Sequence, residues 1–472
     1  MAMVLAAVIG LVVAVAEGRA ELVDEAREAM RRAIAFYHKQ ASVEGGYSWQ
    51  YSGDLSLSEG EEQTDRQSIW IEPPGTPAVG AAMLEAYLRT GEPTALEAAR
   101  DVGQALVRTQ LHSGGWDAVG VFDEVRRSKI AYRVDGPWKP RTFNRSTLDD
   151  NKTQSAARFL MRLDAALEFK NGLIHQAARS ALDALVAVQF ASGGWPQRFD
   201  ETHDPAAYPL LRASIPQAWP RAHPGGAYWK HATFNDQTIV DTIDLMLDAA
   251  DVYGESRYRE SAMAGGRYIV MSQLPHPQPG WAQQYDQRNQ PTWARRFEPP
   301  AICTGESQNC IAMLMTLYER TGDKQWLEPI PAALAYLKKF EQPGRRLPFF
   351  IELGTDKPLY FDRQYRMTYD DSDLPTHYRF VIGSHLGHHE KRYAKLLAEG
   401  PGEGVGKPVP YPPPNRSVDV KEVRRIIDAL DERGAWVETG SMGTQDWKGP
   451  VIQSKTFITN LDKLSRFIVA PK

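Results

Sequence analysis

The sequence predicts an all-α protein: an (α/α) barrel or toroid of paired helices with long loops and a minor β-hairpin element. Two observations predict it. Helical periodicity comes in pairs of segments split by short breakers, and a glycine–aromatic turn returns between the pairs. Segments 21–39, 76–89 and 95–110 carry apolar residues at near-helical spacing, the last two divided by Thr90-Gly91-Glu92-Pro93. Segments 152–168 and 173–190 are divided by Lys170-Asn171-Gly172, 236–253 and 257–274 near Gly254, and 305–320 and 324–340 near Gly322. Glycine and proline at such points end one helix and start the next. Between the pairs stand Gly45-Gly46-Tyr47, Gly114-Gly115-Trp116, Gly193-Gly194-Trp195 and Gly280-Trp281. Their spacing, roughly 70–90 residues, suits a supersecondary unit repeated around an axis.

The chain has 472 residues, 42% apolar and 24% charged, with a net charge of −4. That describes a large globular core, and the absence of a basic tract speaks against a nucleic-acid partner. Residues 3–16 form an apolar run ending in Ala14-Val15-Ala16, an A-x-A-like signal for cleavage after Ala16 or Ala20. No Lys or Arg precedes the run, and a lipid-facing anchor is the alternative. The expected division is therefore a leader over 1–20, a toroid over 21–400, and a linker with a C-terminal tail over 401–472. A secreted or periplasmic monomer is expected, with no membrane contact once the leader is gone. Residues 347–361 read as a strand hairpin around Gly354-Thr355, 418–433 as an amphipathic helix, and 451–468 as a strand followed by a helix. Cys303 and Cys310 can pair or remain free thiols.

Four segments carry chemistry. Leu148-Asp149-Asp150-Asn151-Lys152 and Thr233-Phe234-Asn235-Asp236 each open a helix after a loop. An acid and an amide there can cap the helix or offer oxygens to a hard cation. Ala294-Arg295-Arg296-Phe297-Glu298-Pro299 sets arginine beside an aromatic, which suits a carboxylate-bearing ligand, or else an ion pair with Glu298. The hairpin segment ends on Arg363, after Lys357-Pro358-Leu359-Tyr360-Phe361.

Taken in order, D-N, G-G-W-P-Q, T-F-N-D, W-A-Q-Q-x-D, A-R-x-F-E-P and E-x-G-T-x-K-P-L-Y-x-x-R resemble family 10 of the polysaccharide lyases, the pectate lyases. The similarity runs from about Tyr47 to Arg379. It implies an acidic polysaccharide substrate, polygalacturonate, cut by calcium-assisted β-elimination with an arginine base, which gives 4,5-unsaturated oligogalacturonides. Carried over residue by residue, it implies Asp150 and Asp236 as Ca2+ ligands and Arg363 as the base. Arg295, Arg296, Lys357, Arg379, Asn151, Asn235 and Trp195 are the substrate-binding candidates. Three departures stand out, one being that the family's R-D-G after the hairpin reads Arg363-Gln364-Tyr365 here. The family's A-R-F-Y-E reads Pro348-Phe349-Phe350-Ile351-Glu352 here, so one arginine is missing and Arg345 or Arg346 is left to replace it. The loop 198–234 is also long. The competing readings are an α-toroid terpenoid cyclase or prenyltransferase, whose acidic motif would have to be Asp370-Asp371-Ser372-Asp373, an (α/α) glycosidase with two carboxylates flanking the bond, and a non-catalytic uronan-binding protein.

Overall fold

The computed structural model describes residues 2–200 and 202–470; between residues 2 and 17 it describes the backbone alone. The expected leader falls mostly there, with the side chains of its apolar run outside the described residues. No helix among the described residues is long and apolar enough to cross a membrane. The helices are α1 (Ala2–Phe36), α2 (Thr76–Thr90), α3 (Pro93–Arg108), the short α4 (Glu124–Arg127), α5 (Lys152–Ala166), α6 (Gly172–Ala187), α7 (Thr238–Tyr253) and α8 (Ser256–Ser272). They continue as α9 (Thr304–Thr321), α10 (Ile330–Lys338), α11 (Leu386–Glu399), α12 (Val420–Asp428) and α13 (Ser454–Val469).

The arrangement is the all-α toroid of paired helices that the periodicity predicts. An inner row, α13, α2, α5, α7 and α9, packs side by side in that order. Outside it run α12, α1, α3, α6 and α8. Pairs form because each hairpin buries its apolar stripe against the next. The glycine–aromatic turn is what joins an outer helix to the following inner one. At Gly193 φ is +97°, and a Cβ there would lie 2.2 Å from the Ala264 carbonyl oxygen on α8. Only glycine allows that approach. The aromatic then holds the turn through its own backbone: the carbonyls of Tyr47, Trp116, Trp195 and Trp281 accept from the N–H of Trp70, Thr147, Thr233 and Cys303 at 2.8–2.9 Å. Each tryptophan indole also donates back to the preceding helix, Trp116 to Leu106, Trp195 to Leu185 and Trp281 to Ile269.

Trp195 therefore corrects an expectation. It is fully buried, and its one polar atom is spent on Leu185, so it packs the turn and offers no face to a sugar.

A fifth copy of the turn lies in the C-terminal region. Trp436 donates to the Ile426 carbonyl at 2.9 Å, and Gly434 has φ +94°. Alanine at 435 hides this copy from a search for paired glycines. The region set apart as a tail contributes α13 to the inner row, between α1 and α2, and the strand Trp447–Gln453 pairs with Gln50–Ser52. The proline-rich linker runs across the C-terminal ends of the inner helices. Gly406 N–H donates to the Arg320 carbonyl of α9, Val409 N–H to Asp251 of α7, and Arg162 of α5 stacks on Tyr411 at 4.6 Å. It leaves the opposite end of the ring, where the inner helices begin, to the long loops.

The minor β element is the hairpin Phe350–Glu352 with Pro358–Phe361, turning at Gly354, and Ala301–Cys303 pairs alongside it. Cys303 and Cys310 are both buried free thiols.

Candidate active site

The inner helices α5 and α7 begin in the same way. One 3-10 turn precedes each, Asp149–Asn151 and Asn235–Gln237. Within each turn two successive non-glycine residues are left-handed: Asp150 and Asn151 at φ 48° and 60°, Asp236 and Gln237 at φ 50° and 63°. Each such residue costs roughly 1–2 kcal/mol. That cost is met twice, at equivalent places, and it turns Asp150 and Asp236 away from the helix N–H groups. Neither helix has a side-chain cap. The capping alternative thus fails at both junctions.

Because α5 and α7 are neighbours, their first turns meet. Asp149, Asp150 and Asp236 each offer a carboxylate oxygen within 4.8 Å of the others. Arg295 reaches into the cluster. Its Nη2 lies 2.8 Å from Asp236 and 3.3 Å from Asp149, and its Nε lies 3.6 Å from Glu298. Glu298 is buried behind it, accepting from the Arg295 backbone N–H at 2.9 Å and the Tyr378 hydroxyl at 3.1 Å. Gln197 donates to Asp149 at 2.6 Å, and Asn235, itself bonded by Gln283, donates to Asp236. On the far side Asp150 belongs to a second acidic group with Glu61 and Glu72. Buried Lys152 lies there, 2.7 Å from Glu72 and 3.2 Å from Asp150.

Packing like charges together shifts their titration. Burial, then the Asp149 charge, pushes Asp236 well above the usual carboxylate range against the pull of Arg295. Burial lifts Glu298 and takes Glu72 up to about 7, each opposed by its cation. For Arg295 burial works the other way, but Glu298, Asp149 and Asp236 outweigh it and raise its pKa. The cluster thus holds more negative charge than it keeps comfortably without a cation.

The donor set fits calcium: three carboxylates on one rim, all hard oxygens. The Asn151 amide oxygen on the same turn is buried with no hydrogen-bond partner among the described residues.

The other expected residues are placed differently. Arg363 is exposed, its Nε 3.2 Å from Asp373 and 3.5 Å from the Leu374 carbonyl, and among the described residues it makes no hydrogen bond or ion pair with the acid cluster. Lys357 lies over the Tyr369 ring at 5.0 Å, and Arg379 is exposed without an ion pair among the described residues. Arg296 points away from its neighbour onto the Tyr365 ring at 5.1 Å. Arg345 and Arg346 are exposed, Arg346 at the start of another strand pair and Arg345 in the turn before it. Sequence reasoning did not single out Asp149, Lys152, Glu72 or Gln197 for the site. Asp149 was legible as the first acid of the D-D-N turn; Glu72 was not, since only folding brings it to Lys152.

Comparison with curated protein sequences finds no match. Among solved structures, the family 10 polysaccharide lyase from Cellvibrio cellulosa is 19% identical with a TM-score of 0.46, over 69% of this chain and 98% of that one. Cellobiose 2-epimerase from Bacillus thermoamylovorans is 12% identical with a TM-score of 0.46, over 94% and 98%. A D-mannose isomerase is 14% identical with a TM-score of 0.45, over 94% and 96%. Likenesses this distant carry no argument about chemistry. The family model for pectic acid lyases matches residues 110–347, a span that holds the acid cluster and Arg295 and stops short of Arg363. It covers half of the chain, and the chain belongs to the pectic acid lyase family and is a polysaccharide lyase.

Proposed function

We propose that the chain cleaves polygalacturonate by β-elimination, with calcium at Asp149, Asp150 and Asp236 and an arginine as base, and that Arg295 is that arginine. The observation that carries this is the Arg295 guanidinium spanning Asp149 and Asp236. A base has to lie beside the carboxylate whose neighbouring C5 proton it removes; Arg295 reaching into the acid cluster supports it for that role, and Arg363 pairing with Asp373 speaks against the alternative. When bound, calcium would neutralise the uronate carboxylate and so acidify the C5 proton. Arg295 then takes that proton, the C–H electrons form the C4–C5 double bond, and the C4–O4 bond breaks with O4 taking a proton from solvent water, after which Arg295 returns its own proton to solvent.

A guanidinium is normally charged and cannot accept a proton. The same carboxylates that hold Arg295 protonated here would be engaged by the cation, which removes the charges that raise its pKa. Base strength at Arg295 is thereby tied to an occupied cation site. Glu298 and Tyr378 keep its backbone in place. The apolar run over 3–16 with its A-x-A-like end supports export to the periplasm or medium.

The test is ultraviolet absorbance of the unsaturated uronide released from polygalacturonate, with calcium and with chelator. Arg295→Ala should lose on the order of 10² to 10⁴ in kcat. Arg363→Ala should act mainly on KM. The opposite pattern returns the base to Arg363. Binding with no absorbing product from the unaltered protein leaves a uronan-binding protein instead.

A further inference from the structure

Asp150 stands between two acidic groups. With Asp149 and Asp236 it makes the rim described above, and with Glu61 and Glu72 it makes a second set whose carboxylate oxygens also lie within 4.8 Å of one another. Oxygens so spaced can meet one calcium, whose ligands lie about 2.3–2.6 Å from the ion. The two sets differ in the side-chain cation that enters them. Arg295 reaches the first from a loop 146 residues along the chain from Asp149, with its side chain 30% exposed. Lys152 enters the second from the residue that follows the Asp149–Asn151 turn, with its side chain 5% exposed. Its Nζ lies 2.7 Å from Glu72 and 3.2 Å from Asp150.

The helix alone gives no reason for a lysine there. Lys152 is the first residue of α5, at the end where the helix dipole disfavours a cation. Burial adds a desolvation cost that an ion pair seldom recovers over apolar side chains of the same volume. Its partner is held in place independently. The Glu72 carbonyl accepts from the Trp49 indole and from the Gly75 N–H, both at 2.8 Å, and the Glu72 side chain is 9% exposed. Glu61 and Glu72 precede residues 110–347, so the acid half of this pair lies beyond the span that the family match covers.

We propose that Lys152 is a built-in cation that fills the place of a second divalent ion, and that it thereby keeps the protein to one calcium, on the Asp236 side of Asp150. The inference rests on the calcium reading above and adds to it a count and a side. The ammonium already stands nearly as close to the Glu72 and Asp150 oxygens as a metal would, so ammonium and ion exclude each other by volume and by charge. Lysine suits this because its charge is a compact point with three donors, and here its stem is buried. Lys152 acts through Asp150 and Glu72 and is a positioning residue, with no contact to the sugar required of it.

The experiment counts calcium ions bound per chain, by equilibrium dialysis and titration calorimetry on the full chain freed of metal with chelator. The unaltered protein and Lys152→Arg, which keeps the charge, should bind one. Lys152→Met should bind two. Lys152→Met with Glu72→Gln should return to one, because the emptied place has then lost a ligand as well as the ammonium. Two ions in the unaltered protein overturn the proposal. So does a Lys152→Met count equal to that of the unaltered protein, or a double variant that keeps the extra ion. Lys152→Met leaves Glu72 buried without its cation and can fail to fold. Lys152→Gln, whose amide can still donate to Glu72, carries the same expectation in that case. If the unaltered protein binds no calcium, the calcium reading fails, while a gain of one ion on removing the ammonium still decides the role of Lys152.

Discussion

Removing Arg295 should destabilise the fold in chelator and make it far more responsive to calcium. The guanidinium is the cation that Asp149, Asp236 and Glu298 share. Taking one partner from a buried ion group costs about 3–5 kcal/mol, because the opposite charge stays buried and unpaired. Here the lower end applies: the side chains of Arg295 and Asp236 are 30% and 35% exposed, and Asp236 can take up a proton. A chain of this length unfolds with an entropy of about 1 kcal/mol per kelvin, so about 3 kcal/mol lowers Tm by about 3 °C. Calcium at a hundredfold excess over its Kd returns about 2.7 kcal/mol to any protein with the site. In Arg295→Ala its affinity should rise as well, since no guanidinium competes for the oxygens. Differential scanning calorimetry with chelator and with graded calcium measures both effects. An Arg295→Ala protein as stable as the unaltered one in chelator would refute the shared-cation argument. So would a calcium shift no larger than that of the unaltered protein.

Gly193→Ala should cost about 2–4 kcal/mol, from the left-handed backbone and the contact with the Ala264 carbonyl together, read from the denaturant midpoint. His389 should give stability an acid-side slope. Burial, with the charges of His388, His385 and Arg392, pushes its pKa down to about 4. An unfolded histidine protonates near 6.5, so between these values the unfolded chain binds more protons and stability rises with pH. Falling from pH 7 to 4 should remove about 1–2 kcal/mol at this group once solvent screening is allowed for. In His389→Leu that part of the slope should vanish from denaturation curves taken across the range.

The acid cluster shows how far spacing alone can reach. Asp150 and Asp236 stand out because each is an acid beside an amide at the start of a helix, a local pattern that any reader of the chain can see. What the pattern leaves open is whether the acid caps its helix, and that turns on two backbone angles per junction. Arg363 and Trp195 show the opposite limit. A motif can mark a residue without saying which way its side chain faces. Arg363 turns to Asp373, and Trp195 turns inward to Leu185.

By itself the sequence determined the helix pairs, the glycine–aromatic turns and the two acidic junctions, since each depends on neighbours within a few residues. Tertiary structure decided the rest. It extended the row of helices through a fifth turn whose second glycine is replaced by Ala435, and carried α13 between α1 and α2. It also joined Glu72 to Lys152, Asp149 to Arg295, and Arg221 to Arg296 around one cavity. These partners lie from 75 to 146 residues apart. Contacts at that separation are set by which helices sit side by side in the ring, and no periodicity within a single segment records that order.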